Sequence, residues 1–497
     1  MKYQVLIGKV KGVAVRQSEL KALPFLRVIY YLSFTISIFP DPPQNQRQRL
    51  DIMKFLPYLS SLTGNSPQVT YLLGFRGFLV LQTFLWTFLQ VFVPATVKSN
   101  IVTFPLDTPT YQTLIRKILS PIFWNESLLY ASFVFLTGRT LCISFINSPS
   151  KETLTSSIFR RSFRLVIPTA ISLALFTLIS HTTSTNELTT RFITQTSNPV
   201  IEIPYQLPSP IPLTLFNSIF TLFLSTTNTP LHTLSATLSF PSSTLPILRI
   251  ISSQSSTLYI TSLLISYTRL LWRLKYAPLF IFTAYWVSSW ASLSISALLL
   301  SDLLTNSPFL SFSALGFPLS KRGSKKRLPS WIPYLAILLL GLGLQYFYTA
   351  TNNAAEIANA ELKAHADIYG VSGGLNRKPD LREPQPRIAD VLVLVGGFLL
   401  LETRAGLQNC FKNDVLIELG RRSLSYFLTQ SIFIYSLGIP LYLHLVVKKD
   451  VSAALATFAC FVVSVLGTLA CGEVFYRMVE IPSLWLGWWC WGWMSRC

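Results

Sequence analysis

Apolar segments of about 16 to 25 residues recur along this chain, and no other feature of the sequence constrains its fold so tightly. A helix rises about 1.5 Å per residue and the hydrocarbon core of a bilayer is about 30 Å thick, so such segments predict membrane spans. They lie at about 71–94, 122–146, 163–181, 256–272, 278–300, 331–349, 388–403, 423–447 and 452–476. A further run, Ile211–Leu224, is shorter. The expected fold is all-α, a polytopic transmembrane helix bundle of about nine or ten spans, in an endomembrane or the plasma membrane.

Charge makes the same point. Only 12% of the 497 residues are charged, where soluble domains carry about 25%. Such a chain cannot cover a water-facing surface of its size, which excludes a disordered protein, a disulfide scaffold and an ordinary cytosolic enzyme. The net charge of +20 would point to nucleic acid in a soluble protein. Here the basic residues sit in short clusters between apolar runs, as positive-inside loops do, so no nucleic acid is expected. Six cysteines are scattered with no CxxC pair, which argues against a disulfide framework or a metal site.

The segments between the spans differ in kind. Residues 1–70 are basic, and their one apolar run, 28–39, is too short to cross a bilayer; a cytosolic or interfacial segment is expected. With that side cytosolic, Arg160, Arg161 and Arg164 fall on the same side after two spans, and the sequon Asn125-Glu126-Ser127 falls outside. Residues 181–255 open with nine Ser or Thr in eighteen residues and continue rich in Pro, which predicts a loop or, second, a pair of re-entrant segments. The basic run KRGSKKR (321–327) should be cytosolic, yet simple alternation of these spans puts it outside. Residues 350–387 form a polar loop, and the Trp-rich tail 484–497 suits the membrane interface. The membrane domain proper is expected over 71–483.

An ionisable side chain at membrane depth is costly and marks function by default. Arg76, in YLLGFRGFLVLQTFLW, lies inside the first long run, with Gly77 permitting close backbone approach. It either snorkels to the cytosolic interface or faces the bundle interior and holds an anion. Arg161 and Arg164 are i, i+3 neighbours on one helix face, at a spacing that suits bidentate binding of a phosphate-bearing ligand as well as plain positive-inside anchoring. Glu402 and Arg404 could pair with one another, and Glu480 could cap a return of the chain or pair with Arg477. His181, His232, His365 and His444 have no partner at metal-ligand spacing, and P-loop and HExxH motifs are absent.

Five stretches together resemble the acyltransferase-3 family of integral membrane acyltransferases, its fungal branch in particular. They are FRGFLVLQTFLWTF (75–88), FRRSFRLVIP (159–168), the long block 255–303, LGRRSLSYFLTQ (419–430) and FYRMVEIPS (475–483). The second is similar to the family's Arg-x-x-Arg element and the last to its closing Arg-x-x-Glu-x-Pro-Ser. The resemblance implies transfer of an acyl group, often acetyl, from a cytosolic thioester donor to a hydroxyl.

It also implies a histidine eleven residues after the first arginine and a second at the end of the late helix. Here those positions hold Thr87 and Gln430. The expectation is therefore O-acyl transfer with acyl-CoA (acetyl-CoA) as co-substrate and no bound cofactor. The acceptor would be a hydroxylated small molecule, lipid or glycan, met among membrane lipid. Arg76, Thr87 and Gln430 would serve the reaction, and Arg161 and Arg164 would hold the donor. The rival expectation is a non-catalytic family member that carries a lipid or metabolite, or serves as a membrane scaffold.

Overall fold

The computed structural model describes residues 67–495, without 98–108, 148, 199, 226–232, 243, 319–326, 351–353, 368–373, 378 and 381–382. The basic N-terminal segment read from the sequence lies outside the described residues up to position 66. Among the described residues, six helices are long and apolar enough to cross a membrane: Thr70–Phe92, Thr110–Asn147, Lys151–Thr183, Trp331–Thr349, Ser423–Lys448 and Ala453–Met494. A seventh candidate is Ala291–Asn306 with Phe309–Leu315, bent by 86° at its break. The protein is an integral, multi-pass membrane protein with an all-α fold.

The main helices are α1 (Pro67–Phe92), α2 (Thr110–Phe123), α3 (Glu126–Leu141), α4 (Lys151–Thr183), α5 (Thr185–Thr196) and α6 (Ile211–Leu224). Then come α7 (Leu245–Tyr267), α8 (Leu270–Trp286), α9 (Ala291–Asn306), α10 (Phe309–Leu315), α11 (Trp331–Ala350) and α12 (Ala354–Lys363). The last are α13 (Ile388–Thr403), α14 (Asp414–Arg421), α15 (Ser423–Phe433), α16 (Ala453–Phe475) and α17 (Ile481–Met494). Among the described residues the one paired strand element is a short ribbon, Phe317–Pro318 against Arg327–Leu328.

Side-chain contacts define two ends of the bundle. At one end Tyr71 of α1, Arg139 of α3, Ser301 of α9 and Glu402 of α13 form one network. Arg273 meets Asp302 there, at 2.7 Å, and Ser157 meets Tyr259 at 3.1 Å. At the other end Gln345 of α11 donates to Asp390 of α13, and the Tyr285 hydroxyl of α8 donates to Glu361 of α12. Between these ends α1, α3, α4, α7, α8, α9, α11, α13, α15 and α16 alternate in direction. Four of them, α7, α8, α9 and α13, are not among the six, α9 entering only the bent seventh candidate, so length and composition single out fewer spans than the nine or ten expected. Phe133, Phe135, Leu173, Leu293, Phe398 and Leu428 fill the space between.

Two departures from the sequence reading set this arrangement. The run 278–300 is not one helix: it breaks at 287–290, where Ser288 takes φ 52°, and α8 and α9 pack back to back. Pro278, which looked like a boundary, sits inside α8. A proline is tolerated there because neighbouring helices accommodate the freed backbone group. Residues 245–306 therefore make three antiparallel helices rather than two. That extra reversal returns Arg327 to the end that carries Arg139 and Arg273; the rest of the basic run, 321–326, lies outside the described residues.

The second departure is 181–255, which is mostly helix rather than loop. Many of its Thr and Ser hydroxyls donate to carbonyls one turn back, as in Thr183 to Ile179, Thr189 to Thr185 and Ser218 to Thr214. A hydroxyl that bonds its own helix carries no polar cost into an apolar setting, so Ser/Thr density there is compatible with helix.

Helices α1 and α14 approach closely. A Cβ on Gly77 would stand 2.0 Å from the Leu416 carbonyl oxygen, and one on Gly420 would stand 1.9 Å from that of Leu73. Both contacts are with backbone, which cannot swing aside. Gly77→Ala is therefore expected to destabilise the fold by the roughly 1–3 kcal/mol of an overpacked core or more. Gly343→Ala, where nothing lies within 4 Å of the new methyl, should be neutral. Thermal unfolding of the two detergent-solubilised variants checks this, and equal midpoints would refute it.

Candidate functional site

Arg76 sits on α1 at the level where α14 crosses it, because Gly77 lets the two backbones touch. Arg76 is half-buried there. The charges of Arg164, Arg161 and Glu480 all act on it, from two other parts of the chain. The three arginines singled out from sequence are thus brought together at one end of the bundle.

Arg161 and Arg164 project from the first half of α4. Ser150 starts that helix by accepting the Thr153 N–H at 3.1 Å, a side-chain cap that satisfies one orphan donor. Arg160, the third basic residue, turns the other way. Its guanidinium lies 3.7 Å from the Trp488 ring centroid of α17. Arg161 faces inward toward Tyr259 and Cys142, and its Nε is buried without a hydrogen-bond partner.

Glu480 is the acidic member, and the backbone puts it there. Residues Tyr476–Glu480 form a π turn between α16 and α17. Pro482, just beyond, offers no N–H and crowds the carbonyl four residues back, which is the strain a wider turn relieves. Glu480 is 1% exposed, and its Oε2 accepts the Ser425 hydroxyl at 2.6 Å. Its Oε1 stands 3.8 Å from Arg164, whose side chain is 36% exposed. The pairing with Arg477 considered from sequence does not form: Arg477 binds Glu473 at 2.6 Å instead.

Among the described residues, no carboxylate lies within 4 Å of Arg76 or Arg161, and Arg164 has only Glu480. Three guanidiniums against one carboxylate leave two positive charges uncompensated at the membrane edge. Arg offers planar, bidentate donors to phosphate and carboxylate oxygens. The arrangement can therefore hold a polyanion, with the half-open Arg164 at its mouth and the half-buried Arg76 and Arg161 beside it.

Thr87 and Gln430 stand elsewhere. Thr87 lies three helical turns along α1 from Arg76, fully buried, with its hydroxyl donated to the Thr83 carbonyl at 2.9 Å. Gln430, on α15, is also fully buried, and neither its amide nitrogen nor its oxygen has a partner. A buried amide with both ends unpaired is rare in folded proteins.

Other sequence readings are revised. Glu402 does not pair with Arg404. It accepts Arg139 Nε at 2.8 Å and the Tyr71 hydroxyl at 2.5 Å, in a network with both charged side chains under 10% exposed. Arg139 lies inside the expected span 122–146, and nothing local points to its partner Glu402, 263 residues further on. Asn125 of the sequon is 7% exposed, so its side chain is not available to a glycan. The Trp-rich tail continues α16 as helix, and Trp485, Trp489 and Trp493 form an exposed stripe along α17.

A family model described as an acyltransferase domain matches residues 130–473. No curated protein and no solved structure matches the chain. The matched region holds Arg161, Arg164 and Gln430, while Arg76, Thr87 and Glu480 lie outside it.

Proposed function

The chain belongs to the acyltransferase-3 family, and from that premise we propose that it transfers an acyl group, acetyl foremost, from acyl-CoA to a hydroxyl of a small metabolite, lipid or glycan. The observation that carries this reading is the convergence of Arg76, Arg161 and Arg164 around a single carboxylate. Coenzyme A is a polyanion, with a diphosphate and a 3′-phosphate, and three guanidiniums in one partly buried place match that charge.

In the reaction the acceptor oxygen attacks the thioester carbonyl, a C–O bond forms and the C–S bond breaks. The thiolate of CoA leaves and takes up the proton that the hydroxyl gives away. Arg76 and Arg161 would hold the donor, while Glu480, itself held by Ser425, keeps Arg164 aimed at the mouth. A hydroxyl attacks slowly unless a placed group takes its proton, an effect of about 10²–10⁴-fold. Thr87 and Gln430, at the positions where the family resemblance implies histidine, cannot do so at neutral pH.

That gap favours a second reading, a non-catalytic carrier that uses the same arginines to bind a phosphate-bearing ligand. The two separate on one substitution. Gln430→His puts an imidazole where a buried amide has no partner to lose. For a transferase short of a base, label transfer from acetyl-CoA is expected to rise, by up to about 10²-fold or more. A carrier gains nothing. The direct test is transfer of label from acetyl-CoA to host-extract acceptors by membranes holding the protein. Labelled CoA that binds without any transfer, in wild type and Gln430→His alike, would leave the carrier.

A further inference from the structure

At the end of the bundle opposite the arginines, a small cleft opens among Glu126 and Ser127 of α3, Gln345 and Tyr348 of α11, and Arg387 and Asp390 at the start of α13. Its walls are fixed by hydrogen bonds. Gln345 Nε2 donates to Asp390 Oδ1 at 2.7 Å, and the Ser127 hydroxyl donates to the other oxygen of the same carboxylate. Behind the cleft Glu361 accepts the Ile388 N–H at 2.7 Å and the Tyr285 hydroxyl at 2.6 Å, with the Tyr348 hydroxyl on its second oxygen.

Two lining groups are left unsatisfied. Gln345 is 2% exposed and its Oε1 has no partner; Arg387 is 6% exposed and its Nη1 has none. One is an acceptor and the other a donor. Buried polar atoms are paired in all but a few cases, so two orphans of opposite kind in one cleft mark a place for a further polar group. A hydroxyl is the group that answers both, since it accepts from a guanidinium and donates to an amide oxygen at once.

Charge narrows the class. Asp390 would repel a phosphate or carboxylate, and Arg387, whose charge acts on Glu126, would repel an amine. The space is small, which excludes an acyl chain or a ring buried whole.

We propose that this cleft seats one hydroxyl of a neutral polyhydroxy ligand, the acceptor of the reaction; the assignment of that ligand as acceptor rests on the acyl-transfer reading above. Gln345 and Arg387 are its binding residues, and Ser127 and Asp390 hold Gln345 in place. The donor and the acceptor are then recognised at opposite ends of the same bundle, by cations at one and by a neutral donor–acceptor pair at the other.

The test is equilibrium dialysis of the purified full-length protein against tritiated glycerol, glucose and myo-inositol. Wild type, Gln345→Met and Arg387→Lys are compared, with labelled CoA binding measured on each. At least one polyol is expected to bind wild type saturably, and each variant to weaken that binding at least tenfold while CoA affinity stays within twofold. Absence of saturable polyol binding by wild type, or equal binding by the variants, overturns the proposal and leaves the cleft to water. A variant that also loses CoA binding has lost its fold, and the wild-type result then decides alone. A wild type that binds polyol but transfers no label keeps the cleft and removes the transferase. One that transfers label with an acceptor dependence untouched by the variants keeps the transferase and removes the cleft.

Discussion

Replacing Arg161 and Arg164 together by alanine is expected to cut label transfer from acetyl-CoA by about 10²–10⁴-fold. A hydrogen bond to a charged group contributes about 1.5–3 kcal/mol, and each 1.4 kcal/mol is about tenfold in an equilibrium. Two such contacts to donor phosphates give that range. The loss should fall on the donor, as weakened binding of labelled CoA, and leave the acceptor dependence alone. Arg160→Ala is the control, because its guanidinium is engaged on the Trp488 ring. The lysine pair Arg161→Lys/Arg164→Lys separates phosphate recognition from plain membrane anchoring. Lysine serves as an anchor as well as arginine but lacks the bidentate fork. Full activity in the lysine pair would reduce these residues to positive-inside anchors and take the donor site away from α4.

The largest effect on the fold itself is expected at Arg139 and Glu402. Their pair joins α3 to α13, and through Tyr71 and Ser301 it also ties in α1 and α9. Removing one partner strands a charge that is almost fully buried, at a cost of about 3–5 kcal/mol. Arg139→Ala or Glu402→Ala should therefore lower the thermal midpoint of the detergent-solubilised protein sharply, or abolish its monodisperse expression. The double replacement Arg139→Met/Glu402→Leu removes both charges and should recover much of the loss, since no uncompensated ion remains. A double variant as unstable as either single one would mean that the network's geometry, and not the stranded charge, sets the cost.

These expectations draw unequally on sequence and structure. The arginines were legible because an ionised group in an apolar run is conspicuous, and Arg76 reads either as an anion-holding interior residue or as an interfacial anchor. The choice between those needed the partners. Arg161 and Arg164 come from 85 and 88 residues further along the chain than Arg76, and no local pattern records that they meet it. Glu480 was legible as a motif residue, but its role was not, because Arg477 is its near neighbour in sequence and Arg164 its neighbour in space. The unpaired amide of Gln430 could not be read at all: hydrogen-bond satisfaction belongs to the packed state.

The sequence by itself determined the solvent and the class of fold: too few charges for a water-facing surface, and apolar runs long enough for helices in lipid. It also determined the family, through ordered short motifs. Only the tertiary structure decided which helix ends meet, that 278–300 turns back on itself at Ser288, and that the Ser/Thr-rich stretch folds as helix. The physical reason is range. Hydropathy and propensity act over one or two turns, and they report how a segment meets its surroundings. Which of several apolar faces packs on which, and which buried charge finds which partner hundreds of residues away, follows from close packing and from the cost of an unpaired ion in the interior.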